Sequence, residues 1–403
     1  QAGHPAQPVS ARGRVPAFQV MSILQRVTEL RAQGRDVISL CAGEPSGGAA
    51  PAVNRAAALA HEAPLNYTPA AGLPALRQAI ATHYDRWYGL NVDPSEVIVT
   101  TGASGAFVLG FLAAFEAGDT VAIARPGYPA YRNILRTLGL NVVEIPCGPE
   151  TRFQPTPELL DAAVEQYGDI QGLVVASPAN PTGTMLGRAE LGALSQWCSE
   201  HGTRLVSDEI YHGITYPEPG AADPLGVSAR ELGPDALVIS SFSKYWGMPG
   251  WRVGWALAPA DLAASMEALS GNVALCPPTA AQWGAVKALE EEAYGFGDAQ
   301  VAAFAATRGA LLAALPGLGW GEAAPADGAF YLYAQLGKAL GTFADASAWC
   351  AALLEEEGVA LTPGDDFDGV NGRSAVRLSF AAGQDAVLAA LERIRAFQSR
   401  HAA

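Results

Sequence analysis

The sequence predicts an α/β fold: a mostly parallel seven-stranded sheet sandwiched by helices, with a smaller α+β domain beside it. Three observations carry that expectation. From about Ser95 to Pro259, seven short apolar runs alternate with helix-like stretches. Most of the runs are β-branched, four to six residues long, and closed by a turn signal. After about Asp298 the pattern changes to long helices with few strands. Strands buried on both faces read as continuous apolar runs, and the helices between them provide the cover.

Taken in order, the opening "QAGHPAQPVSARG" is polar and carries prolines. It lacks the apolar core of a secretion signal, so residues 1–15 are expected to be a flexible segment. "FQVMSILQRVTELRAQG" has the spacing of an amphipathic helix. It belongs to an arm, residues 16–47, expected to pack with the C-terminal part of the chain. Residues 48–290 form the expected large domain. Its strands are "EVIVTTG", "DTVAIARPGYP", "LNVVEIP", "IQGLVVASPANP", "TRLVSDEIY", "DALVISSFSK" and "RVGWALAP", with helices such as "ELLDAAVEQYG" and "AELGALSQWCSEHG" between them. Residues 291–403 form the small domain. There "DAQVAAFAATRGALLAALPGLG" reads as a long helix, followed by a strand in "GAFYLYAQL", a helix through "ASAWCAALLEEEG", a strand in "SAVRLSF" and the closing helix "GQDAVLAALERIRAFQSR".

The totals narrow the partners. With 25 basic and 40 acidic residues the net charge is −15, a field that repels nucleic acid and anionic lipid. No uninterrupted apolar stretch has the roughly 18–20 residues needed to span a bilayer. The five cysteines are scattered and odd in number, without a CxxC pair, and no HxH or HExxH motif occurs. A disulfide framework and a metal site are therefore not expected, and a reducing cytoplasm fits. His212 reads as a packed histidine. The chain has only three lysines, and one of them, Lys244, sits among serines, aromatics and glycines.

In an open parallel sheet the ligand lies beyond the carboxyl ends of the strands, so the residues just after the runs are the candidates. "TTGASGAF" places Gly102, Ala103 and Ser104 at the start of a helix, where free amides and a hydroxyl suit an anion. "SPANPTG" places Asn180 on a proline-stiffened turn. "SDEIY" gives Asp208 and Tyr211, and "SFSK" gives Ser241, Ser243 and Lys244, with Arg252 eight residues on. Singly, each of these is compatible with a turn, a cap or a surface charge. Together they match the demands of one small molecule, pyridoxal 5'-phosphate. Its phosphate wants a helix terminus, hydroxyls and a guanidinium. Its aldehyde wants a lysine amine, and its ring nitrogen wants a carboxylate that keeps it protonated.

These motifs resemble the fold-type I pyridoxal-phosphate enzymes, specifically the class I/II, aspartate aminotransferase-like aminotransferases. The resemblance runs from about Ile38 to Arg395, and "SFSKYWGMPGWRVGW" is its most specific piece. It implies that Lys244 carries the cofactor as a Schiff base and shuttles a proton, and that Asp208 partners the ring nitrogen. Asn180 and Tyr211 would bond the phenolic oxygen. Ser241, Ser243 and Arg252 would hold the phosphate with Gly102, Ala103 and Ser104. Tyr128 of "RPGYPAY" would stack on the ring, where many relatives carry tryptophan. Gly43 of "CAGEP" and Arg377 of "SAVRLSF" would meet the substrate carboxylate. Tyr67 of "NYTPAAG" would cross to a neighbour's phosphate, which implies a homodimer with shared sites.

The implied activity is transfer of an amino group between an L-amino acid and a 2-oxo acid. The same scaffold also serves a C–S β-lyase or a specialised biosynthetic enzyme. A cofactor-binding transcriptional regulator is more remote, since the segment before the first motif is short for a DNA-binding head and the charge is wrong. Phe18, Val20, Met21, Asn272, Phe330 and Tyr331 are candidates for the substrate side-chain pocket, and favour a neutral or aromatic substrate.

Overall fold

The computed structural model describes residues 8–401. Of the segment expected to be flexible, residues 1–7 lie outside the described residues, and Ala11–Gly13 form a short 3-10 turn capped by Ser10. The arm follows, with helix α1 (Gln19–Ala32) and strand β1 (Ile38–Ser39). Helices α2 (Pro51–Ala60) and α3 (Pro74–Tyr88) lead to β2 (Val97–Thr100) and α4 (Gly102–Ala114). Strand and helix then alternate: β3 (Thr120–Arg125), α5 (Pro129–Thr137), β4 (Asn141–Pro146), α6 (Pro157–Tyr167), β5 (Gly172–Ala176), α7 (Arg188–His201), β6 (Arg204–Asp208), β7 (Leu237–Ser241) and β8 (Gly254–Leu257). Next come α8 (Ala263–Ala274), α9 (Thr279–Ala288) and α10 (Glu291–Ala314). The chain ends with β9 (Tyr331–Gln335), α11 (Ala346–Glu357), β10 (Val359–Ala360), β11 (Thr362–Pro363), β12 (Ala375–Ser379) and α12 (Gln384–Arg400).

The seven runs read from the sequence are the seven strands of the central sheet, in the order β2-β8-β7-β6-β5-β3-β4. β8 alone runs against both of its neighbours; the other adjacent pairs are parallel. Every residue of β2, β7 and β8 is buried, as expected for strands covered on both faces. A second sheet, β11-β12-β9, is antiparallel, and β1 pairs with β10 far along the chain, Ile38 beside Val359. The arm therefore packs with C-terminal elements: Val27, Leu30 and Val37 share a buried cluster with Leu354 and Ala360.

One difference from the sequence reading has a physical reason. Helix α10 starts at Glu291, seven residues before the "DAQV" pattern, because "EEAYGFG" hides its helical character behind two glycines. Glu291 and Glu292 sit in its first turn, where a negative charge suits the helix dipole. With the turn after it, this helix (Glu291–Leu318) is also long and apolar enough, by length and composition, to cross a membrane. Alanine and glycine supply much of that apolar count, and the helix buries Tyr294, Phe304 and Leu311 against the fold.

The antiparallel strand makes the architecture useful. Thr100 of β2 and Ser241 of β7 both pair with Gly254, at the start of β8. The ends of two strands and the beginning of a third thus meet at one edge of the sheet. Gly254 is the residue that fits there: a Cβ would lie 2.7–2.8 Å from backbone atoms of Gly102, Ala103 and Ser240. Gly254→Ala is expected to cost about 1–3 kcal/mol by overpacking, seen as a lowered thermal midpoint. A midpoint equal to that of the unaltered chain would mean this strand junction tolerates a methyl group.

Candidate active site

The strand ends open into a cavity of about 520 Å³. Of the residues expected at the site, Gly43, Ala103, Ser104, Tyr128, Asn180, Asp208, Tyr211, Ser241, Ser243, Lys244, Arg252 and Arg377 line it. Gly102 stands behind this wall. Tyr67 is outside it, 79 % exposed on the surface.

One end of the cavity is a cradle for an anion. Helix α4 begins directly after β2, and no side chain caps it at Thr101, so its first amides remain available. Gly102 has φ +69°, and a Cβ there would lie 2.3 Å from Nη2 of Arg252. The absent side chain is what lets the guanidinium approach the helix terminus. Arg252 donates through Nη1 to Pro249 O at 2.8 Å. The hydroxyls of Ser241 and Ser243 are 2.8 Å apart, and the Ser243 amide donates to Ser241 Oγ at 3.1 Å.

Deeper in, Asp208 is buried at the end of β6. It accepts from the Ile210 amide at 3.1 Å and from the Tyr131 hydroxyl. Burial pushes its carboxyl up to about 6, against the pull of those two donors and of Lys244. Lys244 follows β7, partly buried, and its Nζ donates to the carbonyl of Gly43. Burial, and next the positive charge of Arg377, lower its amine to about 8. Tyr211 has its hydroxyl 2.6 Å from that of Tyr331. Tyr128 stands edge-on to Tyr131, ring centroids 5.4 Å apart, and stacks with Phe18 at 6.1 Å.

Arg377 comes from the other sheet. Its guanidinium donates to Asn180 Oδ1 and to Cys41 O, both at 2.8 Å. The ring faces of Tyr331 and Phe367 hold its Cζ at 4.5 and 4.8 Å. Its Nε is buried without a partner. A planar cation that lines a cavity suits a carboxylate.

Several residues here escaped the sequence reading. Tyr131 shares "RPGYPAY" with Tyr128, one helical turn later, so the strand-end rule could have found it. Cys41 and Glu44 of "CAGEP" and Ile210 of "SDEIY" also line the cavity, as do Asp366 and Phe367, which no motif announces. Of the pocket candidates, Phe18, Val20 and Tyr331 are lining residues. Phe330 is instead fully buried in the core, and Met21 and Asn272 are exposed outside the cavity. His212 is packed, 2.6 Å from the Tyr88 hydroxyl.

A desolvated amine, a buried carboxylate and a guanidinium line one cavity, a set of groups that suits an enzyme acting on amino acids. The family model described as "Aminotransferase class I and II" matches residues 35–394. The valine–pyruvate aminotransferase of Mycobacterium tuberculosis is 47 % identical over 387 residues, covering 96 % of this chain and 97 % of that protein. The aspartate/prephenate aminotransferase of Thermus thermophilus is 35 % identical, over 93 % and 94 % of the two chains. Among solved structures, an aminotransferase from Mycobacterium tuberculosis superposes with a TM-score of 0.93 at 46 % identity, over 98 % of this chain and all of the other. The aspartate aminotransferase from Thermus thermophilus with maleate gives 0.89 at 33 % identity, over 97 % and 100 %. The chain belongs to the class I and II aminotransferases, and it moves an amino group between an amino acid and a 2-oxo acid.

Directly behind Asp208 lies a second buried carboxyl. Glu209 Oε1 accepts from Ser207 Oγ at 3.0 Å and the Ala229 amide at 2.8 Å, while Oε2 has no partner. His212 Nδ1 lies 3.9 Å away, and Tyr84, Tyr88 and Glu231 are the other ionisable groups around it. Burial pushes the Glu209 carboxyl up to about 8. The folded chain thus holds a proton that the unfolded glutamate releases near 4.5. The resulting stability is full below that value and is lost as pH rises toward 8. Asp208 has the same sign, but its window closes at about 6. Buried His83 and His212, lowered to about 3, gain stability as pH rises toward 6.5, so the thermal midpoint is expected to fall chiefly between pH 7 and 8, and to fall less in Glu209→Gln. Equal slopes in the two proteins would assign the effect to other groups.

Proposed function

We propose that the cavity holds pyridoxal 5'-phosphate and that the chain transfers amino groups from a neutral aliphatic L-amino acid to a 2-oxo acid such as pyruvate. One observation carries this reading: the Lys244 amine, lowered to about 8 by burial, opens into the same cavity as Asp208 and Arg377. The donor set fits the group. The open end of α4, the serine pair and Arg252 suit a phosphate, and the side-chain-free cradle at Gly102 keeps room for it.

Bound there, pyridoxal phosphate supplies an aldehyde that exchanges amines and a ring that withdraws electrons from the substrate's α-carbon. The chain's residues do the rest. Nζ of Lys244 anchors the group between turnovers. Once displaced, it takes the proton from the substrate's α-carbon and later returns one; an amine titrating near 8 has the right basicity for both. Asp208, destabilised as an anion by burial, gains most from a cationic ring nitrogen beside it. Tyr211 and Asn180 would donate to the phenolic oxygen; Asn180 Oδ1 is taken by Arg377, which leaves its amide NH₂ to give. Tyr128 covers the ring face. Arg377 and the Gly43 backbone hold the α-carboxylate.

Within one subunit the charges favour a neutral side chain. The cationic residues lining the cavity are Lys244, Arg252 and Arg377, and each already has a role. Among the described residues no fourth cation lines it to receive a side-chain carboxylate, whereas Glu44 and Asp366 would repel one. Phe18, Val20, Leu24 and Phe367 add apolar wall. The 47 %-identical relative named for valine and pyruvate supports the same choice.

The reading includes a cytoplasmic homodimer, built from an arm (16–47) that packs with a small domain (291–403) and a large domain (48–290). Tyr67, Leu65, Val273, Leu275 and Trp283 are exposed on adjoining segments, tied by Thr279 Oγ1 to Asn66 O at 2.8 Å. A second copy covering that face would bring Tyr67 to its neighbour's phosphate. All five cysteines are free, which suits a reducing compartment.

Two outcomes are expected. Lys244→Ala should lose both the visible absorbance of the loaded protein and turnover; a band that borohydride still fixes to the variant would put the attachment elsewhere. In assays with pyruvate as acceptor, valine and its neutral aliphatic neighbours should exceed aspartate at least tenfold in kcat/KM, since roughly 1.4 kcal/mol separates them per tenfold. A preference for aspartate would refute the charge argument.

A further inference from the structure

We infer that Tyr331 is a positioning residue that serves both halves of the site at once: its hydroxyl supports Tyr211 at the cofactor's phenolic oxygen, and its ring seats Arg377 for the substrate's carboxylate. The inference rests on the cofactor reading above and adds a residue to it.

Tyr331 opens β9 and is fully buried, yet it lines the cavity. Its ring lies against Tyr211 at right angles, and the two hydroxyl oxygens are 2.6 Å apart. Each hydroxyl has one proton. If Tyr211 gives its own to the phenolic oxygen, the bond between the tyrosines requires Tyr331 to donate to Tyr211. A hydroxyl that accepts a hydrogen bond becomes a better donor, so Tyr331 strengthens the bond Tyr211 makes.

The other half of the role is carried by the ring face. The Arg377 guanidinium sits 4.5 Å from the Tyr331 centroid, with Phe367 at 4.8 Å. Stacking fixes the plane of the fork while leaving its N–H edge free, which is what a bidentate pair with a carboxylate needs. The hydroxyl also approaches Gly43, whose carbonyl holds Lys244 Nζ; a Cβ on Gly43 would lie 3.1 Å from it. One side chain therefore touches the segments carrying Tyr211 and Arg377 and stands against Gly43, the residue to which Lys244 donates.

The two contacts can be separated. Tyr331→Phe keeps the ring and removes the hydroxyl; Tyr331→Leu removes both. Each protein is loaded with pyridoxal phosphate, its visible absorbance is titrated with pH, and its saturation with substrate is measured. Donors to the phenolic oxygen stabilise its negative charge when the chromophore loses its proton. With the Tyr211 donor weakened, Tyr331→Phe should titrate about half a unit to one unit higher, with KM within about twofold of the unaltered enzyme. Tyr331→Leu should in addition raise KM about five- to tenfold. A buried aromatic with only a packing role predicts no shift in the phenylalanine variant, so an unshifted midpoint overturns the inference. An unchanged KM in the leucine variant overturns its second half. If the unaltered protein gave no visible band at all, the cofactor reading would fall too. A band that Lys244→Ala abolishes, alongside an unshifted Tyr331→Phe, would remove the inference alone.

Discussion

The site depends on the way β8 is wedged between β2 and β7. The pairings Thr100–Gly254 and Gly254–Ser241 fix the distance between helix α4, the serine pair and Arg252 more tightly than side-chain contacts could. A one-residue slip in a strand turns every side chain to the other face. Here it would also carry Arg252 away from the helix terminus. Because β8 alone is antiparallel, its first residues arrive at the edge where the parallel strands end. An anion cradle is thereby assembled from three segments far apart in sequence, and the chain continues from Ser241 to Lys244 within it.

The charges placed on this frame are costly to bury alone and compatible together. An isolated carboxylate or ammonium in an apolar interior loses several kcal/mol of solvation. The shifts of Asp208 and Lys244 are signatures of that loss, upward for the acid and downward for the base. Each is only partly compensated by its neighbours in the protein. A ligand with a cationic ring edge, an electrophilic carbon and a dianionic tail compensates all three sites together. The poise of these groups is thus the one that the proposed cofactor would relieve.

Much of this was legible in the sequence because the chemistry sits next to strand ends. The runs ending at Thr100, Ala176, Asp208 and Ser241 announced themselves by composition, and the polar residues that follow them were few enough to examine singly. What escaped had no such anchor. Tyr331 was legible as a pocket residue, but its contact with Tyr211 was not, because an aromatic in a strand is ordinarily core. Glu209 was overshadowed by Asp208 beside it, and its burial depends on segments near Ser228 and Tyr88 that no local pattern connects to it. Helices α2, α3 and α5 carried a signal that went unused, a proline at the first helical position of each.

Arg377 shows how the smaller sheet would take part in the proposed reaction without supplying its chemistry. Its strand, β12, pairs with β11 and β9, so the guanidinium is fixed by the small sheet. Yet its hydrogen bonds go to Asn180, after β5 of the large sheet, and to Cys41 in the arm. Three parts of the chain therefore share one side chain, and its buried Nε remains unpaired. An unmet buried donor costs about 1–3 kcal/mol. In the proposed reading, a substrate carboxylate held by the cavity side of the guanidinium would add a further tie at this junction between the two sheets. Binding energy from the part of the substrate that does not react is thus available to hold the reacting carbon still beside Lys244, which is the use an enzyme has for it.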